Sequence, residues 1–273
     1  MIFLNFNTIG IICEYNPFHF GHKYHIEQTK LATGCQNIVC VMSGSMVQRG
    51  ECAIFNKWQR AGVAVDAGAD LVIELPAYYA LQSADIFAEG AIKILDGIRA
   101  DGVSFGCECG SIDIIKSIAS EMTSPDSDFN KVLKEEMQRG VGYPKASETA
   151  LLKCLPDLQN EISKPNNTLA VSYVKAINNL KSELVPICIK RDNDYHSEKT
   201  NDDYLSATEI RHRIKCGKDY SSFAPDYTSE NIFDLNGCVN DANAVKSALE
   251  RNGDGTLNFD VKLICATSEE TYI

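Results

Sequence analysis

No stretch of this sequence stays apolar long enough to span a bilayer, which takes about 20 residues. The opening Met1-Ile2-Phe3-Leu4 breaks at Asn5 and lacks a basic n-region, so it does not read as a signal peptide. A disulfide framework is missing as well. The eleven cysteines are odd in number and mostly isolated, as at Cys13, Cys40, Cys52, Cys154 and Cys188. They are expected to be reduced thiols in a cytoplasmic protein. The one close pair, Cys107-Glu108-Cys109, has no second pair at zinc-ligand spacing, so no metal site is expected there. Nor is there an excess of positive charge. The net charge of −11 argues against broad, nonspecific adhesion to nucleic acid.

What is present is ordinary globular composition, 44% apolar and 23% charged over 273 residues. That is chain enough for one large domain, or one domain and a fragment of another. The charge is uneven. Residues 221–273 hold three Lys/Arg against nine Asp/Glu, while Lys190, Arg191, Arg211, Arg213, Lys215 and Lys218 crowd into one stretch that could meet phosphate or RNA.

The most informative stretch is Cys13-Glu14-Tyr15-Asn16-Pro17-Phe18-His19-Phe20-Gly21-His22-Lys23-Tyr24-His25. The apolar run Ile9-Gly10-Ile11-Ile12 enters it, and a segment with helical spacing from Tyr24 to Leu31 leaves it. A buried strand therefore runs through a polar turn into a helix. In open α/β sheets, ligands sit at that junction, outside the carboxyl end of a strand and at a helix N-terminus. Free helix N–H groups there favour an anion, and imidazole N–H groups add hydrogen bonds to phosphate oxygens. Gly21, between His19 and His22, lets a ligand approach the backbone. Two other readings fit the same residues: one histidine caps the helix while the other fills a gap, or His19, His22 and His25 ligate zinc. The zinc reading suffers because His19 is expected to precede the helix.

Further along, Asn37 to Gly44, Asp70 to Pro76, Gly102 to Gly106 and Leu184 to Arg191 read as buried strands. Helices are expected from Lys57 to Ala67, with Asn56 as cap, and from Gln82 to Leu95. Strands alternating with helices at roughly 30-residue spacing indicate repeated βαβ units, hence an α/β fold with a parallel sheet. Gly44 and Gly106 end successive strands, and either borders the same cleft as the histidines or makes a tight turn. Residues 111–159 read as mainly helical. Asn166 and Asn167 precede a helix from Leu169 to Leu180, where either could be only a cap. Ser206 and Thr208 at the start of a further helix, with Arg211 one turn on, form a second anion-binding arrangement with a capping-box pattern from Ser206 to Glu209.

These blocks together resemble the bacterial tRNA(Met) cytidine acetate ligase family, related to the HIGH-motif nucleotidyltransferases, over residues 1–227. The likeness rests on the run from Gly10 to His25, Met42-Ser43-Gly44 with Gln48-Arg49-Gly50, Lys57-Trp58-Gln59-Arg60-Ala61 and Asp70 to Pro76. Gln82 to Ala91, Phe105-Gly106-Cys107-Glu108, Lys164-Pro165-Asn166-Asn167 and Ser206 to Arg211 complete it. One HxGH alone is weak; eight blocks in order are specific. The resemblance implies a Rossmann-like ATP-binding domain. It implies that acetate and ATP give acetyl-adenylate and pyrophosphate, the acetyl group then passing to N4 of the wobble cytidine in elongator tRNA(Met). On that footing His19 and His22 are the catalytic donors to phosphate, and Ile12, Cys13, Glu14, Tyr15, Asn16, Pro17, Phe18, His19, Phe20, Gly21, His22, Lys23, Tyr24 and His25 wrap the nucleotide. Gly106 and Asn167 approach adenosine, Arg191 pairs with phosphate, and Ser206, Thr208 and Arg211 close over the outer phosphates. Magnesium is expected to travel with ATP, without a dedicated protein cage. Two alternatives share the phosphate chemistry: a small-molecule adenylyltransferase, and a noncatalytic nucleotide-binding module.

Beyond Asp226-Tyr227 the likeness fades, although family members continue with sequence that helps hold tRNA. Residues 228–273 are expected to form a separate acidic segment. Leu235 to Glu250 with Asn258 to Leu263 resembles an early helix-strand piece of a caspase-like peptidase domain, and the chain ends before that family's catalytic His and Cys, so no protease activity is expected. Gly253-Asp254-Gly255 imitates part of an EF-hand loop, but Val261 stands where the final carboxylate belongs, and calcium binding is not expected.

Overall fold

The computed structural model describes residues 6–48, 50–190 and 205–225. Arg49, Arg191 and the segment 228–273, with its caspase-like and EF-hand-like pieces, lie outside the described residues.

In chain order the elements are β1 (Thr8–Cys13), α1 (Phe20–Thr33), β2 (Asn37–Ser43), α2 (Lys57–Asp66), β3 (Leu71–Leu75), the short α3 (Ala77–Ala80), α4 (Ala84–Gly97) and β4 (Gly102–Cys107). There follow α5 (Ile112–Thr123), α6 (Asp128–Gln138), α7 (Tyr143–Cys154), the one-turn α8 (Gln159–Ile162), α9 (Pro165–Leu180), β5 (Val185–Lys190) and α10 (Ala207–Lys215). The five strands make one parallel sheet in the order β3-β2-β1-β4-β5, with Cys13 opposite Met42, Ile11 opposite Ser104 and Cys107 opposite Lys190. The parallel sheet is the one expected from the alternating pattern, and its order is the Rossmann-like arrangement that the resemblance implies. The strand order reverses between β1 and β4, which opens a crevice beyond their carboxyl ends.

The sheet is covered on both faces, so its inner strands read as continuous apolar runs rather than as alternation. Ile9, Ile11, Ile38, Cys40 and Val72 pack with Phe18, Ile26 and Ala61 on the α1–α2 side. Val39, Val41, Leu71 and Val103 pack with Phe87, Leu95, Ile118 and Val174 on the α4–α5–α9 side. Gly10 belongs to the second face, where Leu95 fills the space a Cβ would take. Among the described residues no helix is long and apolar enough to cross a membrane.

One expectation fails here. Cys107 and Cys188 are joined as a disulfide, with Cα atoms 6.2 Å apart, so the cysteines are not all free thiols. They occupy neighbouring strands one diagonal step apart, Cys188 facing Phe105 in the β4–β5 ladder. Isolation along the sequence says nothing about that register.

Candidate functional site

A cleft of about 690 Å³ opens at the carboxyl ends of β1, β4 and β5, at the point where the strand order reverses. That volume lies in the range of small-molecule sites, about 300–1,000 Å³. One wall is the turn between β1 and α1, with Glu14, Tyr15, Asn16, His19 and His22. The opposite wall is Gly106 and Lys190 at the ends of β4 and β5, with Asn166 at the start of α9. Ser206, Thr208 and Arg211 of α10 face the opening.

His19 is the N-cap of α1, and the two histidines form a reciprocal cap. His19 Nδ1 accepts from Gly21 N at 3.1 Å, and His22 Nδ1 accepts from His19 N at 3.1 Å. The rings stack with centroids 3.8 Å apart. An imidazole nitrogen that accepts carries no proton, so in the neutral rings this network assigns the proton to Nε2 of each. Both side chains thereby become Nε2–H donors whose orientation is set by the backbone they cap. Capping and donation are complementary here, where the sequence offered them as alternatives.

The free helix N–H groups expected at this junction are in fact engaged. Phe20 N donates to Phe223 O at 3.2 Å and Gly21 N to the His19 ring. The first peptide N–H groups of α1 are thus already bonded within the chain. The same holds at α9, where the Glu108 carboxylate accepts from Asn166 N at 3.3 Å and Asn167 N at 2.9 Å.

Asn167 does not line the cleft. It is fully buried, with Oδ1 accepting from Glu108 N (2.9 Å) and Cys109 N (3.2 Å), and Nδ2 donating to Glu161 O (3.0 Å). Its amide is consumed in joining the end of β4 to α9, and the cleft residue is its neighbour Asn166. Pro17, Phe18, Phe20 and Lys23 also lie off the cleft surface. Phe18 is buried beneath the turn, 4.7 Å from the Tyr15 ring and 5.5 Å from His22, and the Asn16–Pro17 peptide is cis. Gly106 lines the cleft whereas Gly44 does not; Glu74 occupies the space beside Gly44. Ile12, Cys13, Gly21, Tyr24 and His25 also line the cleft. His25 Nε2 lies 3.0 Å from Ser104 Oγ and Thr29 Oγ1 is 2.7 Å from the same oxygen, which pins α1 to β4. The three histidines thus do not converge, and among the described residues no His/Cys/Asp/Glu cluster fits a metal.

Sequence reading missed several cleft residues: Gln48 and Glu51 on the loop after β2, and the apolar group Phe87, Phe105, Leu169, Tyr173 and Ile189. The apolar ones carry no signal that separates a cleft wall from core. Arg211 sits at the opening, where Nη1 donates to Asn16 O at 2.6 Å and Nη2 to Thr208 Oγ1 at 3.1 Å.

With this geometry in view, comparison with known proteins is decisive about ancestry. The profile of the HIGH Nucleotidyl Transferase family matches residues 6–252. The chain belongs to that family. The match runs beyond residue 227, where the resemblance was expected to stop. A tRNA(Met) cytidine acetate ligase of Clostridium novyi is 42% identical over 236 residues, covering 84% of this chain and 59% of the relative. One from Caldanaerobacter subterraneus is 43% identical over 227 residues, covering 81% and 57%. Among solved structures, Thermotoga maritima TmcAL bound with alpha-thio ATP superposes with a TM-score of 0.72 at 31% identity, covering 77% of this chain and 51% of that one. The chain therefore spans somewhat over half the length of the curated relatives it matches.

Nearby thiol and phenol groups are unsuited to attack. Burial pushes the Cys13 thiol and the Tyr15 phenol well above their ordinary values, so both stay protonated near neutral pH. The cleft thus combines the imidazoles, Lys190 and Arg211 with the carboxylates Glu14 and Glu51 and with the apolar group Phe87, Phe105, Leu169, Tyr173 and Ile189.

Proposed function

We propose that this chain carries the ATP-dependent activating site of a tRNA(Met) cytidine acetate ligase. The observation that carries the reading is the placement of His19 and His22 in the cleft at the switch point of the sheet, each ring oriented by a backbone N–H that its Nδ1 accepts. Relatives that bear the ligase name, and a structural neighbour bound with an ATP analogue, support it.

In this reading a carboxylate oxygen of acetate attacks the α-phosphorus of ATP, a new P–O bond forms, and the bond to pyrophosphate breaks. His19 and His22 donate to phosphate oxygens as negative charge develops on them, a stabilisation that needs no protein nucleophile. Arg211, Ser206 and Thr208 lie at the outer end, where the leaving pyrophosphate would be held. The apolar wall of Phe87, Phe105 and Tyr173 suits the adenosine end. Magnesium would enter with the nucleotide and would supply neutralisation of phosphate charge. In the second step, N4 of the wobble cytidine attacks the acetyl carbonyl, AMP leaves, and the amine loses a proton. The partners are thus acetate and elongator tRNA(Met).

Transfer of labelled acetate to elongator tRNA(Met), with ATP and magnesium present, tests the whole reading. Label in the tRNA, sensitive to alkaline deacylation as an N-acetyl base, is expected. Adenylation of another small molecule in place of acetate would instead support a small-molecule adenylyltransferase.

A further inference from the structure

The cleft turn is held by a residue that never reaches the cleft. Arg60, on α2, has no exposed surface. Burying a guanidinium costs several kcal/mol unless its donors are satisfied. Here they are met by carbonyls from three separate segments. Arg60 Nε donates to Phe55 O at 3.1 Å, Nη1 to Glu14 O at 2.5 Å and to Ser43 O at 3.1 Å, and Nη2 to Gly44 O. The planar fork therefore joins the β1–α1 turn to the end of β2 and to the lead into α2. Lysine, with one nitrogen and no fixed fork, cannot span the same set.

The clamped turn needs such support. Tyr15 has φ 48°, in the left-handed region that a bulky side chain rarely adopts. On either side of it Glu14 Oε1 accepts from Gln48 N at 2.7 Å and Asn16 Oδ1 accepts from Ile54 N at 2.8 Å. Next to the clamp, Lys57 and Glu74 form a largely buried ion pair at 2.8 Å. Lys57 and Arg60, which share one face of α2, thus turn inward rather than to solvent.

We propose that Arg60 is a positioning residue of the nucleotide cleft: it fixes the β1–α1 turn against the end of β2, so that His19 and His22 are presented at a set distance from the phosphates. The inference rests on the nucleotide reading for its consequence, but the clamp itself is testable without nucleotide.

The test uses the full chain and its Arg60→Lys and Arg60→Gln variants. ATP binding by calorimetry separates two roles. A residue that only stabilises the fold lowers the number of competent sites and leaves their Kd unchanged. A positioning residue leaves about one site per chain and weakens its Kd, and pyrophosphate release falls about 10²-fold, as expected for an ångström-scale misplacement. Amide exchange supplies the arm that needs no ligand. In Arg60→Lys the Gln48 and Ile54 amides should exchange at least about tenfold faster while Val39 and Val41 of β2 keep their protection. Unchanged Kd per site, or unchanged exchange at Gln48 and Ile54, overturns the proposal. Absence of ATP binding in the unaltered chain sinks the nucleotide reading alone, and the exchange arm still decides the clamp. Should neither variant fold, the unaltered protein decides it: Gln48 and Ile54 must open together, with one common exchange free energy, and two distinct values refute the clamp.

Discussion

Replacing His19 by asparagine separates the two jobs of that side chain. Asparagine is among the best N-cap residues, so its side-chain oxygen can take over the bond from Gly21 N that His19 Nδ1 now accepts at 3.1 Å. Stability should therefore change by less than about 0.5 kcal/mol, whereas alanine, which cannot cap, should cost about 1 kcal/mol. What asparagine cannot supply is the Nε2–H at imidazole reach. A hydrogen bond to a charged group is worth about 1.5–3 kcal/mol, so losing it from the transition state should slow acetate-dependent pyrophosphate release about 10- to 150-fold. Urea melts give the stability and a coupled pyrophosphate assay gives the rate. Two native-like melts with a large rate loss in both variants would agree with the reasoning. A His19→Asn protein that is as stable and as fast as the original would refute it, because the imidazole would then be only a cap.

Other consequences follow from the same geometry. Asn167→Ala leaves the part-buried Glu108 and Cys109 amides without their acceptor, which at about 1–3 kcal/mol each should lower unfolding stability by about 2–6 kcal/mol, while ATP affinity per folded molecule holds. Gly10→Ala drives a Cβ into Leu95 between β1 and α4 and should cost about 1–3 kcal/mol in a urea melt. Stability should also fall in alkali. Cys13, Tyr15 and Tyr173 are each pushed up, mainly by burial, from ordinary values of 9.0 for the thiol and 10.0 for the phenols. Above those ordinary values the unfolded chain holds fewer protons than the native one. Each group therefore takes away up to about 1.4 kcal/mol per pH unit as pH rises past 9 or 10, and contributes nothing below. Urea midpoints that stay level between about pH 8 and pH 10.5 would contradict this sign.

The parts of the site visible in the sequence were those with local chemistry. A strand that enters a polar turn with two histidines around a glycine declares a ligand junction, and Ser206 with Glu209 declares a helix start. The inner strands were readable because parallel strands covered on both faces are unbroken apolar runs. What stayed hidden depends on partners distant in sequence. Nothing near Asn167 reveals that Glu108, 59 residues earlier, caps its helix and turns Asn166 rather than Asn167 to the cleft. Lys57 and Arg60 look like a solvated helix face until the ends of β1 and β2 are brought over them. The Cys107–Cys188 pairing exists only in the β4–β5 register, 81 residues apart. Phe87 and Tyr173 are core residues by pattern, and only the crevice at the β1/β4 reversal makes them a wall.

In the proposed reaction this cleft joins acetate to the adenylyl group of ATP. ATP–pyrophosphate exchange, followed with labelled pyrophosphate, tests it without tRNA. Label should enter ATP only when acetate is present, and the exchange should be strongly reduced in His19→Asn. Exchange that proceeds equally without acetate, or is absent although ATP binds, would contradict it.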